Sequence, residues 1–225
     1  MNRTRSLSMI ATGALALLAS GCGTSPFGQP AAPPPPIRPP AFTALGLSAA
    51  YLNGDIINGR KARAAKLRAA RIRPLSPAAV PNYMHQAEQE LRRQTAGIGI
   101  DVLRLPDGIL IRVPATLTFD QGSAAIKPQI SATLTEIART LKTYNQTYVD
   151  VLAHSDTTGS AEGNLALSQK RAGAAAAFLG GRGVARSRIA SKGLGETAPL
   201  YPVEQTEEQR AANRRVEIRV VPYRG

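Results

Sequence analysis

Tryptophan is absent from this 225-residue chain, aromatics make up only 4% of it, and it has one cysteine, Cys22. A single thiol excludes an internal disulfide framework. With few rings to bury, a core must rest on Ile, Leu, Val and Ala. Histidine is as scarce, with two copies, His85 and His154, which leaves little for a metal cluster or a nucleophile–base pair. Long apolar runs are missing too. The stretch Met9 to Ala19 is interrupted by Thr12 and Gly13 and is too short to cross a bilayer as a permanent helix. Acidic side chains are outnumbered 15 to 28, for a net charge of +13. The excess is concentrated between Arg60 and Arg73, where seven basic residues stand without one acid. Such a segment invites a polyanion.

What is present at the N-terminus reads as an export signal over residues 1–21. Arg3 and Arg5 supply a positive start, Met9 to Ala19 the apolar run, and Ser20-Gly21 the small residues before Cys22. Export argues against a nucleic-acid partner. Ala19-Ser20-Gly21-Cys22 resembles a lipobox, with Ala19 where leucine is commonest. The resemblance implies cleavage before Cys22 and acylation of its thiol, which gives the chain a stable membrane anchor. The alternative is a conventional signal with an incidental cysteine. Gly23 follows, not aspartate, which by resemblance to enterobacterial lipoproteins implies the outer membrane rather than the inner one.

Residues 22–80 read as a tether. Pro30, Pro33 to Pro36, Pro39 and Pro40 exclude helix and ladder, leaving a semi-rigid polyproline spacer. Ala62 to Ile72 has high helix propensity, but its basic side chains spread around the whole circumference without an apolar stripe. Residues 41–73 are therefore expected to be a solvated basic spacer, with contact to anionic headgroups as the sharper alternative. Residues 41–80 should be dispensable for folding. Residues 81–98 contain a short lead-in helix, with Ala87, Leu91 and Tyr83 on one side.

Residues 99–225 carry regular periodicity and can bury a core. Ile98 to Leu105 and Ile109 to Val113 flank Pro106-Asp107-Gly108, which predicts a hairpin. Pro128 to Tyr144 predicts a helix, with Ile130, Leu134, Ile137 and Leu141 on one face. Thr147 to His154 alternates as a strand, 164–179 is a second helix stopped by Gly180-Gly181, and Arg188 to Lys192 and Arg215 to Val221 are strands. The fold class expected is an α/β sandwich, βαβαββ, with two helices on a mixed sheet.

The second helix carries an anomaly. At 100° per residue, Asn164, Ser168 and Arg171 form one stripe, flanked on both sides by apolar residues. A partly buried guanidinium needs a carboxylate from the protein or from a ligand. Asp156, in the loop that follows the strand, is the candidate companion. The pair reads either as an ordinary salt bridge or as two opposite charges lining one pocket.

The motif Asn164-x-x-Leu167-Ser168-x-x-Arg171-Ala172-x-x-Ala175-x-x-x-Leu179 resembles the helix of the OmpA-like domain found in peptidoglycan-binding outer-membrane lipoproteins, with Ala175 where valine is usual. Thr118-Phe119-Asp120, Ala153-His154-Ser155-Asp156-Thr157-Thr158-Gly159 (with Ala153 and Ser155 as mild departures), Gly193-x-Gly195-Glu196 and Asn213-Arg214-Arg215-Val216-Glu217-Ile218 follow the family in order, over about residues 97–222. The resemblance implies a non-catalytic domain that binds peptidoglycan through the diaminopimelate of its stem peptide. Asp156 would take the ammonium and Arg171 the carboxylate. Asp120 and Asn164 match positions that contact the ligand, and Arg214 matches a nearby arginine. No cofactor and no metal are implied. A rival reading is a wall-binding subunit of an envelope secretion or motor complex, with envelope proteins as partners. A second rival, a cell-wall hydrolase using His154, Ser155 and Asp156, fails on geometry because strand neighbours point to opposite faces.

Overall fold

The computed structural model describes residues 59–225, which fall within one compact unit. The export signal, Cys22 and the proline-rich stretch read from the sequence lie outside the described residues. Five strands form one mixed sheet: β1 (Asp101–Leu105), β2 (Gly108–Pro114), β3 (Thr147–His154), β4 (Ile189–Gly195) and β5 (Arg215–Pro222). Their spatial order is β1-β2-β5-β3-β4, antiparallel except for the β3–β4 pair. Among the described residues six α-helices accompany them: α1 (Arg60–Ala69), α2 (Val80–Thr95), α3 (Ala115–Thr118), α4 (Pro128–Thr143), α5 (Ala161–Gly181) and α6 (Glu207–Asn213). The expected pair of helices on a mixed sheet is α4 and α5, and α2 and α6 are additional to it.

Alternation on the strands sets the layers. Ile109, Ile111 and Val113, then Val149, Val151 and Ala153, then Val216, Ile218 and Val220 share one sheet face. Ile130, Leu134, Ile137 and Leu141 from α4 and Ala172, Ala175 and Leu179 from α5 pack on it, and all are buried. The lead-in helix is more than a connector, because Met84, Ala87 and Leu91 of α2 are within 1% of full burial in the same core. Tyr83 stacks edge-on against Tyr144 at 5.2 Å.

β4 lies close against α5. A Cβ on Gly193 would stand 2.2 Å from the backbone nitrogen of Gln169, and nothing flexible is there to give way. Gly193→Ala is expected to lower stability by about 1–3 kcal/mol, the usual cost of overpacking a fitted contact. Urea denaturation reads this directly, and an unchanged midpoint would mean that β4 and α5 can part freely.

The second sheet face departs from the sequence reading. Arg215, Glu217 and Arg219 are each within 1% of full burial, as are Asp150 and His154. Glu217 accepts from Arg215 Nε at 2.7 Å, and the register pairs it with Arg112 across the β2–β5 ladder. The segment read as a solvated spacer docks here. In α1, Leu67 is fully buried against Tyr148, Val221 and Tyr223. Arg63 reaches Asp150 at 2.5 Å and lies over the Tyr148 ring at 5.0 Å. Leu75 then bridges to Arg224 and donates its N–H to the Tyr223 carbonyl. Residues 60–80 are therefore structural, and removing 41–80 strips part of the protein's packing, contrary to the expectation from periodicity. α1 shows no apolar stripe because one of its two buried positions is an arginine.

Candidate functional site

The cleft opens where β3 ends and β5 begins. β3 delivers His154, after which Ser155 and Asp156 enter the loop that leads to α5. Ser160 caps α5 by accepting the Gly163 N–H at 3.1 Å. The loop is braced by Asn164, whose Nδ2 faces the carbonyls of Asp156 and Thr158, each at 3.2 Å, and the Glu196 carboxylate at 2.8 Å. Ser168 holds β4 to α5 by accepting the Gly195 N–H at 2.9 Å. The polar stripe on α5 is thus divided by function: Asn164 and Ser168 fix backbone, and Arg171 faces the opening.

Asp156, Arg171, Asn164, Asp120 and Arg214 all line one cavity of about 700 Å³. The structure brings the five sequence-predicted residues together, in roles that differ from a simple list. Asp120 contributes chiefly its backbone, since its carboxylate points out toward Lys127 Nζ at 3.1 Å. Arg171, 6% exposed, donates from Nε to the Ser123 carbonyl at 2.8 Å and from Nη2 to the Asp120 carbonyl at 3.1 Å. Its guanidinium lies over the Phe119 ring at 5.2 Å. The Asp156–Arg171 salt bridge left open by the sequence does not form. Asp156 pairs instead with Arg214 at 2.5 Å and accepts the Thr158 N–H at 3.2 Å. Arg214 also bonds Glu207.

Electrostatics follow from this pairing. Burial, then the neighbouring Arg214 cation, pull the Arg171 pKa down from its usual value, and Asp156 only partly offsets them. Arg171 therefore carries a charge that its backbone partners do not neutralise. The lining holds three carboxyl-bearing residues, Asp120, Asp156 and Glu207, and three arginines, Arg171, Arg210 and Arg214. With the Asp120 carboxylate turned outward, two carboxylates and three arginines remain, and a lining that carries both signs suits a zwitterion better than a pure anion or cation.

Sequence reasoning missed Glu207 and Arg210. They sit on α6, whose capping box, Thr206 with Gln209, is a sequence-level helix start. Ser155, which the hydrolase reading used, has its Oγ buried at the cleft wall without a hydrogen-bond partner among the described residues. His154 belongs to the other sheet face, 3.6 Å from Glu217, and burial with the Arg215 and Arg112 cations drives its pKa well below the ordinary histidine value. It is no base for Ser155. Among the described residues no three His, Cys, Asp or Glu side chains gather to hold a metal.

The OmpA family model matches residues 118–214, the span that runs from the β2–α4 connection through the cleft to Arg214. This stretch is an OmpA-family domain. The probable lipoprotein YiaD of Escherichia coli is 42% identical over 140 residues, which cover 62% of this chain and 64% of that protein. The peptidoglycan-binding protein ArfA of Mycobacterium tuberculosis is 38% identical over 102 residues, covering 45% of this chain and 31% of ArfA. The chain thus spans less than two thirds of the length of these relatives. Among solved structures, the cell wall anchor of the T6SS from Pseudomonas aeruginosa aligns with a TM-score of 0.54 at 28% identity, covering 59% of this chain and 96% of that one. The match of the OmpA-family domain to the T6SS anchor agrees with the mixed α/β sheet described above.

Proposed function

We propose that this protein is a non-catalytic anchor that holds the outer membrane to the cell wall, with Cys22 as the acylated membrane end and the cleft as the peptidoglycan receptor. The ligand is the diaminopimelate of the stem peptide, which bears an ammonium and a carboxylate on one carbon. Arg171 takes the carboxylate. Its Nε and one Nη2 hydrogen are committed to carbonyls, which leaves the outer edge of the fork for a bidentate contact. Asp156 takes the ammonium. A carboxylate offers about four acceptor sites, and Arg214 and Thr158 occupy two of them. Arg214 holds Asp156 in place, Asn164 holds the loop, and Asp120 offers its backbone at the rim. The observation that carries this reading is the Arg171 guanidinium, buried and bonded only to neutral carbonyls beside a second cation.

The identity to the ArfA protein supports a wall ligand. The likeness to a secretion-system wall anchor favours a second reading, a wall-binding subunit of an envelope assembly. That reading shares the ligand and differs in partners. Sedimentation with purified sacculi tests the receptor: the protein should pellet with them and be released by free diaminopimelate-containing peptide. Proteins recovered alongside it distinguish a lone anchor from a subunit. Mass spectrometry of the mature N-terminus tests the anchor, and an unmodified terminus at any residue other than Cys22 would remove it.

A further inference from the structure

The sheet has two functional ends. The cleft lies at the end formed by the exit of β3 and the entrance of β5. The docked segment 60–75 ends at the opposite one, where Gln146 donates to the Arg73 carbonyl at 2.8 Å and Leu75 bridges to Arg224. The eight residues of β3 place these ends roughly 25 Å apart. Around the far end stand Lys61, Lys66, Arg68, Arg71, Arg73 and Arg224, all exposed. None of the six forms a salt bridge among the described residues, and the sequence has no acid between Asp55 and Glu88.

One of these cations is held at the expense of the backbone. α1 ends in a Schellman motif: Arg71 N–H bonds the Arg68 carbonyl, Ile72 N–H bonds the Leu67 carbonyl, and Ile72 packs with Leu67. The motif needs a residue in the left-handed region, and glycine is the usual occupant. Here it is Arg71, at φ 57°, while every other described residue with positive φ is a glycine. A side chain kept where glycine would be more stable points to use of its charge.

We propose that this basic pole is a docking surface for a membrane rich in anionic phospholipid headgroups, so that the protein presents its cleft away from the bilayer that anchors it. The choice of a membrane over another polyanion rests on the lipid-anchor reading, since the basic segment follows Cys22 and the proline-rich stretch in the sequence. The exposed positions between the cations are Ala62, Ala65, Ala69 and Ala70, too small to insert into lipid. The contact is therefore peripheral and weakens with salt.

The test uses the chain from residue 22 onward with Cys22→Ser, so that no acyl group contributes. It is mixed with phosphatidylcholine vesicles, with and without phosphatidylglycerol. Binding should require phosphatidylglycerol and vanish at high salt. Each cation removed should weaken binding about five-fold, the effect of one charge near an anionic surface. Arg71→Gly should therefore bind about five-fold less while its Tm rises by ~2–4 °C as strain is relieved. Replacing Lys66, Arg68 and Arg73 by Gln as well should lower binding several hundred-fold, on the order of four such steps, without loss of the fold. Equal binding to both vesicle types, or wild-type binding by Arg71→Gly, would overturn the proposal, as would tighter capture by duplex DNA than by phosphatidylglycerol vesicles. Sacculus sedimentation of the same variants should be unchanged, which separates failure of the pole from failure of the wall receptor.

Discussion

Arg171→Ala is expected to abolish retention on sacculi while leaving the domain folded. The guanidinium bonds two rim carbonyls and, in the proposed receptor, serves the ligand carboxylate as well. Truncation leaves the ligand charge unpaired, at about 2–5 kcal/mol, or roughly 30- to several-thousand-fold in Kd. The freed carbonyls of Asp120 and Ser123 border an open cleft, so water replaces the lost donors and the stability loss stays near 1–2 kcal/mol. Asp156→Ala should remove ammonium binding by a similar factor. It does not orphan Arg214, which keeps Glu207 as a partner, so folding is again retained. Arg171→Lys should not rescue affinity, because one ammonium cannot serve two carbonyls and a bidentate carboxylate together. Calorimetry with a diaminopimelate-containing peptide, run beside thermal melts, separates receptor from scaffold. Wild-type affinity in a folded Arg171→Ala protein would eliminate the receptor.

Arg63→Ala is expected to be the most damaging single change outside the core. Its partner Asp150 sits in the middle of β3 at 0% exposure, and removing the cation takes away its 2.5 Å partner, leaving the buried carboxylate with Arg60 at longer range and Arg219 across the ladder. The loss should be about 3–5 kcal/mol. Amide exchange across α1 should rise with it, since the helix is then held by Leu67 with its apolar neighbours and by the looser Arg60–Asp107 pair. The paired replacement Arg63→Met with Asp150→Leu removes both charges and should recover most of the loss, because an apolar pair of similar volume avoids desolvation. A loss under about 1 kcal/mol for Arg63→Ala would show that the helix is held by its apolar contacts alone.

These two cases mark what the sequence could and could not reveal. Strands β3 and β5 and helices α4 and α5 were legible because an apolar period of two or of three to four directly reports a face turned to the core. The cleft was legible for the opposite reason. Arg171 breaks that period, and a break inside an apolar half must be answered by something nearby. α1 was illegible because its anchor is an arginine whose partner lies 87 residues away, and no local pattern records such a pairing. Arg188 was missed on the same ground. It is 1% exposed and donates to the carbonyls of Leu141, Tyr144 and Thr147, closing α4 onto β3. The rule that charges face water reads these arginines as surface. The α6 helix was missed for a lesser reason, since its capping box was present but too short a run followed it.

The strand arrangement has a mechanical consequence. A pull between a ligand held at Asp156 and Arg171 and the chain entering at Arg60 reaches the sheet through docked α1 and Leu75, and from Leu75 it acts along β3 and β5, not across them. The two strands are antiparallel and paired from Thr147↔Pro222 to Ala153↔Val216. Tension along that axis loads the rungs of the ladder simultaneously in shear, so none can open without the rest. A tether leaving from the cleft end would instead peel them one by one.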